Sequence, residues 1–208
     1  KILKDKTKPG MYNKYPAFSE RSKWEGLDAG LKLHIITEAE PLLGCDWPRF
    51  RASDYMEYYQ AGSRKSWDKV FKQVFDSLTK LTIAECVEGK GRFIDDIING
   101  IWARCEVTSW VHSGHLTHHG PEQVPLHDAN YLDLRACSTG SQLAHIFYLL
   151  KPQLDAVSPH ICERLEYEIQ HRIIDNFLEN HHWWTNLKEG WTINNWNTHC
   201  NKNVMRTA

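Results

Sequence analysis

The 208-residue sequence predicts an all-α protein built from antiparallel helical hairpins. Over most of the chain after residue 20, apolar residues recur every three or four positions, which is the spacing of one face of an α-helix. Residues that begin or end helices stand at the boundaries of these stretches, and no stretch has the alternation of a β-strand. Amphipathic helices with short connections pack as antiparallel pairs, in a bundle, a solenoid or a closed toroid. The lack of a repeat period disfavours a regular solenoid.

The helical stretches follow an irregular, basic lead-in at residues 1–20, which is punctuated by prolines and a glycine. A long helix opens at Ser63 and ends at Gly89 and Gly91, since glycine is favoured just beyond a helix C-terminus. Another begins at Ser158-Pro159, a capping residue followed by proline at the first helical position. The remaining predicted helices cover residues 31–43, 53–60, 93–107 and 139–150.

Two segments lack this periodicity. Residues 112–130 are rich in His, Gly and Pro and form a long connection, a kind that is often functional. Residues 181–197 are aromatic and polar and lead into a final helix. Because the chain opens with Lys1 and stops within this helical pattern, we expect it to be truncated at one or both ends.

Composition excludes several classes of protein. The formal net charge is only −1, which argues against a dedicated nucleic-acid binder. No apolar run reaches the roughly 18 residues of a membrane span, so no membrane partner is expected. The six cysteines are scattered without a C-x-x-C pair and are interpreted as free structural thiols.

The first candidate constellation combines tryptophans with asparagines near the C-terminus. Such a mixture is typical of a sugar-binding surface, because indole faces stack on pyranose rings and amides bond to hydroxyls or a carboxylate. The alternative is a structural loop whose Asn side chains cap helix ends. The constellation consists of Trp183, Trp184, Asn194, Asn195, Trp196, Asn197, His199, Asn201 and Asn203.

A second constellation gathers histidines in the 112–130 loop. Histidines are common metal ligands, but the spacing matches no specific metal motif, so we expect no metal. A polar cleft in which one His transfers a proton or binds a hydroxyl is favoured instead. The residues are Glu106, Trp110, His112, His115, His118, His119 and His127.

Two smaller features complete the candidate residues. Asp95, Asn99, Trp102 and Glu106 lie along one side of the predicted 93–107 helix. The Gly89–Phe93 loop lacks the spacing of a nucleotide-binding loop, but the Arg92 guanidinium suits a sugar carboxylate or sulfate.

Five ordered segments resemble the N-terminal helical part of heparinase II/III-like proteins, over residues 15–208. Each motif is weak by itself, and their order makes the set fairly specific. The segments are Asp46-Trp47-Pro48; Glu85 to Phe93; Asn99-Gly100-Ile101-Trp102-Ala103 with Glu106 and Ser109-Trp110; Leu134 with Thr139-Gly140; and Asn194-Asn195-Trp196-Asn197 with Cys200-Asn201.

The resemblance implies that residues 21–208 are the N-terminal portion of an incomplete (α/α) toroid, normally followed by a β-sandwich. Such enzymes cleave uronic-acid polysaccharides by β-elimination, without a cofactor. The partners would be an acidic polysaccharide and the C-terminal remainder of the enzyme, where the family's tyrosine and a further histidine lie. A periplasmic or secreted bacterial enzyme is expected, with the cytoplasm left open.

The resemblance also implies roles for single residues. In similar lyases an Asn, often followed by His, neutralises the substrate carboxylate. Asn195 occupies that place in this sequence, and Asn194 is the alternative. The residue that follows Asn195 is Trp196 instead of His. His115 is expected to assist at the cleavage site. Expected stacking surfaces are Trp102, Trp110, Trp184 and Trp196; Arg92, Asn99, Glu106, Asn197 and His199 are expected to bind substrate or organise the cleft.

Two rival functions remain open. A glycoside hydrolase on a helical toroid needs two carboxylates about 5–10 Å apart, and Glu106 with Asp95 or Asp133 are the candidates. A non-catalytic module that binds acidic saccharides is the other.

Overall fold

The computed structural model describes residues 15–126, 131–185 and 193–208. In these ranges the regular structure is entirely helical, as predicted. The α-helices are α1 (Arg21–Glu25), α2 (Ala29–Ala39), α3 (Ala52–Ala61), α4 (Lys65–Glu88), α5 (Ile94–Cys105), α6 (Leu134–Val157), α7 (Pro159–Ile169), α8 (Asn176–Glu179) and α9 (Asn195–Thr207). A turn of π-helix, Gln170–Asp175, joins α7 to α8, and short 3₁₀ turns lie at Glu40–Leu42, Ser113–His119 and Trp183–Thr185.

Two long helices, α4 and α6, organise the core. Helix α4 packs against α2, α5 and α6, and α6 packs against α7 and α9. Helix α4 buries Trp67, Phe71, Leu78 and Leu81, which confirms the helical spacing of its apolar residues. Because α9 packs on α6, its N-terminus is held near the loop that precedes α6.

The turn between α4 and α5 confirms the glycine boundary and changes the interpretation of the loop. Gly89 and Gly91 have φ angles of 70° and 80°, a region that favours glycine. The buried Glu85 carboxylate accepts hydrogen bonds from the Gly91 and Phe93 N–H groups at 2.8 and 3.2 Å. Burial raises the pKa of Glu85. Since the chain's own carboxylate occupies these donors, they are not available to an external anion.

Other boundaries differ in detail from the sequence prediction. Helix α6 begins at Leu134, before the predicted residue 139, because the Asp133 side chain caps it by accepting from the Arg135 and Ala136 N–H groups. Helix α7 begins at Pro159 as predicted, although the Ser158 hydroxyl makes no capping hydrogen bond.

A buried ion cluster joins α7 to the end of α5. Glu168 is 4% exposed and receives hydrogen bonds from Arg164 and Arg172. The same guanidinium groups donate to the backbone carbonyls of Cys105 and Val107, at 3.2 and 2.8 Å. The Cys105 carbonyl, which accepts from both arginines, lies at the negative end of the α5 dipole, so the two cations cap α5 and tie it to α7.

The six cysteines are unpaired thiols, and all but Cys45 are buried. Across the described ranges, none of the helices combines the length and apolarity that crossing a lipid bilayer requires.

Candidate functional site

A buried carboxylate orients one histidine of the 112–130 loop. Asp133 is 1% exposed and accepts the His115 Nδ1–H at 2.6 Å and the His112 N–H at 2.9 Å through its Oδ2 atom. Its Oδ1 atom accepts the two N–H groups at the start of α6. Because an ionised carboxylate accepts only, the His115 proton sits on Nδ1, and Nε2 of the neutral ring is left as a base.

His112 has the opposite tautomer. Its Nδ1 accepts the Gly114 N–H at 2.9 Å, so the neutral ring carries its proton on Nε2, 3.3 Å from an Asp68 carboxylate oxygen. The ring is 2% exposed and lies 4.6 Å from the Trp67 ring centroid. Burial, and then the neighbouring His115, lower the pKa of His112 to about 4, although Asp68 acts in the other direction.

We therefore expect acid to destabilise the protein through His112. The pKa of a histidine in an unfolded chain is near 6.5. The free energy of unfolding therefore keeps its full value above about pH 6.5. It falls by on the order of 3 kcal/mol as the pH drops to about 4, where His112 of the folded protein also becomes protonated. Urea unfolding across this range measures the loss. His112→Asn keeps an acceptor for Gly114 and should flatten the dependence. His160→Asn, at an exposed residue paired with Glu163, should leave it unchanged; equal slopes in both variants would exclude His112 as the source.

An aromatic surface lies beside this pair. The Trp196 ring centroid is 4.4 Å from that of His115 and 5.0 Å from that of Trp183, and His118 lies 4.9 Å from Trp183. Trp183 is 39% exposed and His118 is exposed. We call His115, His118, Trp183 and Trp196 the His–Trp surface. It joins the 113–119 turn, the 183–185 turn and α9, so segments far apart in sequence form one site.

The two asparagines at the start of α9 differ in role. The Asn194 side chain caps α9 by accepting the Trp196 N–H at 2.8 Å. Asn195 is the first residue of α9, and its side chain is exposed. The N-terminus of a helix favours negative charge, so Asn195 offers an amide where an anion is stabilised. The cap interpretation thus holds for Asn194, while Asn195 stays the candidate for substrate contact.

Asn197 and His199 face neighbouring elements. The Asn197 amide donates weakly to the Trp184 carbonyl at 3.4 Å and accepts from Asn201. His199 Nε2 lies 3.1 Å from the Ser138 hydroxyl, and burial lowers the pKa of His199. Both residues are half-buried and hold α9 in place.

Trp110 and Trp184 were expected as stacking surfaces, and this expectation is wrong. They are 3% and 2% exposed, and their indole N–H groups donate to the carbonyls of Arg104 and Leu132 at 2.9 and 3.0 Å. Each is a core residue with its one donor satisfied. The presence of a tryptophan in a loop sequence therefore does not show whether its indole faces solvent.

Arg92 binds within the protein. Its guanidinium forms ion pairs with Glu88 and Glu40 at 2.7 and 2.8 Å, across the turn between α4 and α5. It does not line the cleft described next, and its charge is already matched by these two carboxylates.

The polar stripe of α5 lines a separate cleft of about 890 Å³. Asn99, Trp102 and Glu106 all contribute to it, as their spacing predicted, and Trp102 is 47% exposed. Glu106 pairs with Arg164 at 3.1 Å. The loop that follows the 113–119 turn contributes Val124 and Pro125 to the lining of this cleft.

Of the remaining histidines, His127 lies outside the described residues. Within the ranges that the structure describes, no three His, Cys, Asp or Glu side chains are placed to hold a metal ion. No family model matches the chain, and no curated protein matches it.

Sequence reasoning did not identify Asp133 as the residue that orients His115. The one signal was local: an aspartate directly before a helical stretch is a capping residue. Nothing in the sequence indicated that its second oxygen would bind the 112–115 turn.

Proposed function

We propose that the protein is a lyase that cleaves uronic-acid polysaccharides by β-elimination, with the described helices forming the first part of an (α/α) toroid. The sequential packing of α4 with α5 and of α6 with α7 supports a fold made of hairpins. The observation that carries the function is the placement of exposed Asn195 next to Trp196, whose ring contacts the Asp133-oriented His115.

The reaction explains why these groups belong together. The C5 proton of a uronic acid becomes acidic only when the neighbouring carboxylate is neutralised, because the intermediate places negative charge on that group. The Asn195 side-chain amide supplies a hydrogen-bond donor for this charge, and the N-terminus of α9 supplies positive potential. Trp183 and Trp196 offer indole surface for the sugar ring.

The proton then needs an acceptor. His115 Nε2 carries the lone pair in the tautomer that Asp133 selects, so His115 is the candidate base. The base takes the C5 proton, and the C5–H electron pair passes into the carboxyl group to form the enolate-like intermediate. When this intermediate collapses, the C4–C5 double bond forms, the C4–O4 bond breaks with its electron pair on O4, and an acid protonates O4. The products are a free hydroxyl end and an unsaturated uronate end.

The decisive experiment incubates the complete protein with heparin-like, chondroitin-like, hyaluronan and alginate polysaccharides. We expect a rise in ultraviolet absorbance from the new double bond with at least one of them. Shortened products without this absorbance would favour a hydrolase, and tight binding without cleavage would favour a binding module; either result contradicts the proposal.

The geometry disfavours the hydrolase alternative. Asp133 already accepts from four donors, so it is poorly suited as a catalytic acid or base. Asp95 and Glu106 lie at opposite ends of α5, roughly 16 Å apart along the axis at the rise of an α-helix, beyond the spacing that hydrolysis uses.

A further inference from the structure

The cleft beside α5 has the features of a binding site of its own. Its lining includes Asp46, Trp47, Arg49 and Phe50, residues of α5, and Val124 and Pro125, and it has a volume of about 890 Å³. None of its lining residues belongs to the His–Trp surface. The cleft and the His–Trp surface are therefore separate sites.

Trp102 provides a fixed aromatic face in the cleft. Its ring is 47% exposed, and the Arg164 guanidinium lies 5.5 Å from the ring centroid. Arg164 is itself held by Glu106 and by the buried Glu168. Because Arg164 is held in place, it restricts the Trp102 side chain before any ligand binds. The Trp102 indole therefore loses little conformational entropy when a flat ligand stacks on its open face.

A second tryptophan in the cleft wall carries an unmatched donor. Trp47 packs so closely on α5 that a Cβ atom at Gly100 would lie 2.5 Å from its ring, which explains the glycine at that position. The Trp47 indole N–H is buried and has no hydrogen-bond acceptor among the residues that the structure describes. The close packing of its ring on α5 makes Trp47 a rigid part of the cleft wall.

Arg49 is the free cation of the lining. It is exposed and forms no ion pair with the residues that the structure describes, unlike Arg51, which pairs with Asp54 at 2.9 Å. A guanidinium binds a carboxylate with two parallel hydrogen bonds. Asp46 shares the lining and repels dense negative charge, so one carboxylate fits better than a run of sulfates. The exposed Asn99 amide adds a hydroxyl partner.

We infer that this cleft is a second saccharide subsite, in which Trp102 stacks on a pyranose ring and Arg49 selects a sugar that bears a carboxylate. The inference deepens the proposed function and rests on it for the class of ligand. It assigns a role to Arg49 that the sequence did not indicate. Binding here is independent of cleavage, so it can be measured in a protein that does not turn over.

The test measures binding of hyaluronan and alginate hexasaccharides to the complete protein by calorimetry, with a neutral cellulose hexasaccharide as the comparison. We expect Arg49→Gln to weaken binding of at least one acidic hexasaccharide about tenfold or more, as for the loss of a charged hydrogen bond, and to leave the neutral one unchanged. Trp102→Ala should weaken both. Arg51→Gln, a nearby arginine outside the lining, is the matched control.

Equal affinities in wild type and Arg49→Gln, or equal losses in Arg49→Gln and Arg51→Gln, would overturn the inference. Circular dichroism and urea unfolding establish that each variant is folded. The result is separable from the lyase proposal: if no polysaccharide is cleaved but the Arg49 effect is present, the subsite stands and the lyase fails. If cleavage occurs and neither variant alters binding, the lyase stands and the subsite fails.

Discussion

Asn195→Ala should reduce the release of unsaturated uronate products by at least about 10²–10³-fold, the effect of removing a donor that stabilises developing negative charge. The stability of the protein should hardly change, because the side chain is exposed at the first position of α9. Substitutions at such surface positions usually alter the free energy of unfolding by less than about 0.5 kcal/mol. Initial rates from ultraviolet absorbance, with urea unfolding in parallel, measure the two effects.

The adjacent asparagine provides the matched control. Asn194→Ala removes the capping bond to the Trp196 N–H and should lower the free energy of unfolding by about 1 kcal/mol. Its activity should persist at temperatures at which the variant stays folded. If Asn195→Ala retains full activity while Asn194→Ala loses it, the roles given to the two residues are reversed; if neither variant loses activity, the charge-neutralising role of this pair is excluded.

Glu168→Ala is expected to produce the largest loss of stability, about 3–5 kcal/mol in the free energy of unfolding. The carboxylate is 4% exposed and pairs with both Arg164 and Arg172. Its removal leaves two guanidinium groups without their shared anion while they still face the carbonyls at the end of α5. Urea unfolding at pH 7 measures the loss.

An exposed ion pair supplies the comparison for Glu168. Asp76→Ala breaks a pair with Lys72 on the surface of α4, where both side chains are largely solvated. Such pairs contribute at most about 1 kcal/mol. A Glu168→Ala loss no larger than the Asp76→Ala loss would show that the buried cluster does not hold α5 to α7.

Since Arg164 also contacts Trp102 and Glu106, we further expect Glu168→Ala to weaken saccharide binding in the cleft.

Local features of the sequence predicted correctly which polar residues lie together on one side of α5. Asn99, Trp102 and Glu106 share the cleft because residues three and four apart lie on the same side of a helix, a relation that needs no tertiary information. The prediction was wrong for Trp110 and Trp184, which are buried, because burial depends on what packs against a side chain. Arg92 forms an ion pair with Glu40, which lies on a distant segment of the chain. Residue spacing cannot identify such a partner.

The sequence by itself determined the all-helical class, the helical spacing of the residues that α4 buries and the glycines that end α4, since each follows from helical periodicity or from the conformation of one residue. Only the tertiary structure decided that Asp133 orients His115, that Glu85 occupies the N–H groups of the glycine loop, and that Asn194 caps α9 while Asn195 stays exposed. The first two are contacts beyond one helical turn, and their partners depend on how helices and loops meet. The third depends on which of two adjacent asparagines directly precedes α9, and the sequence allows either.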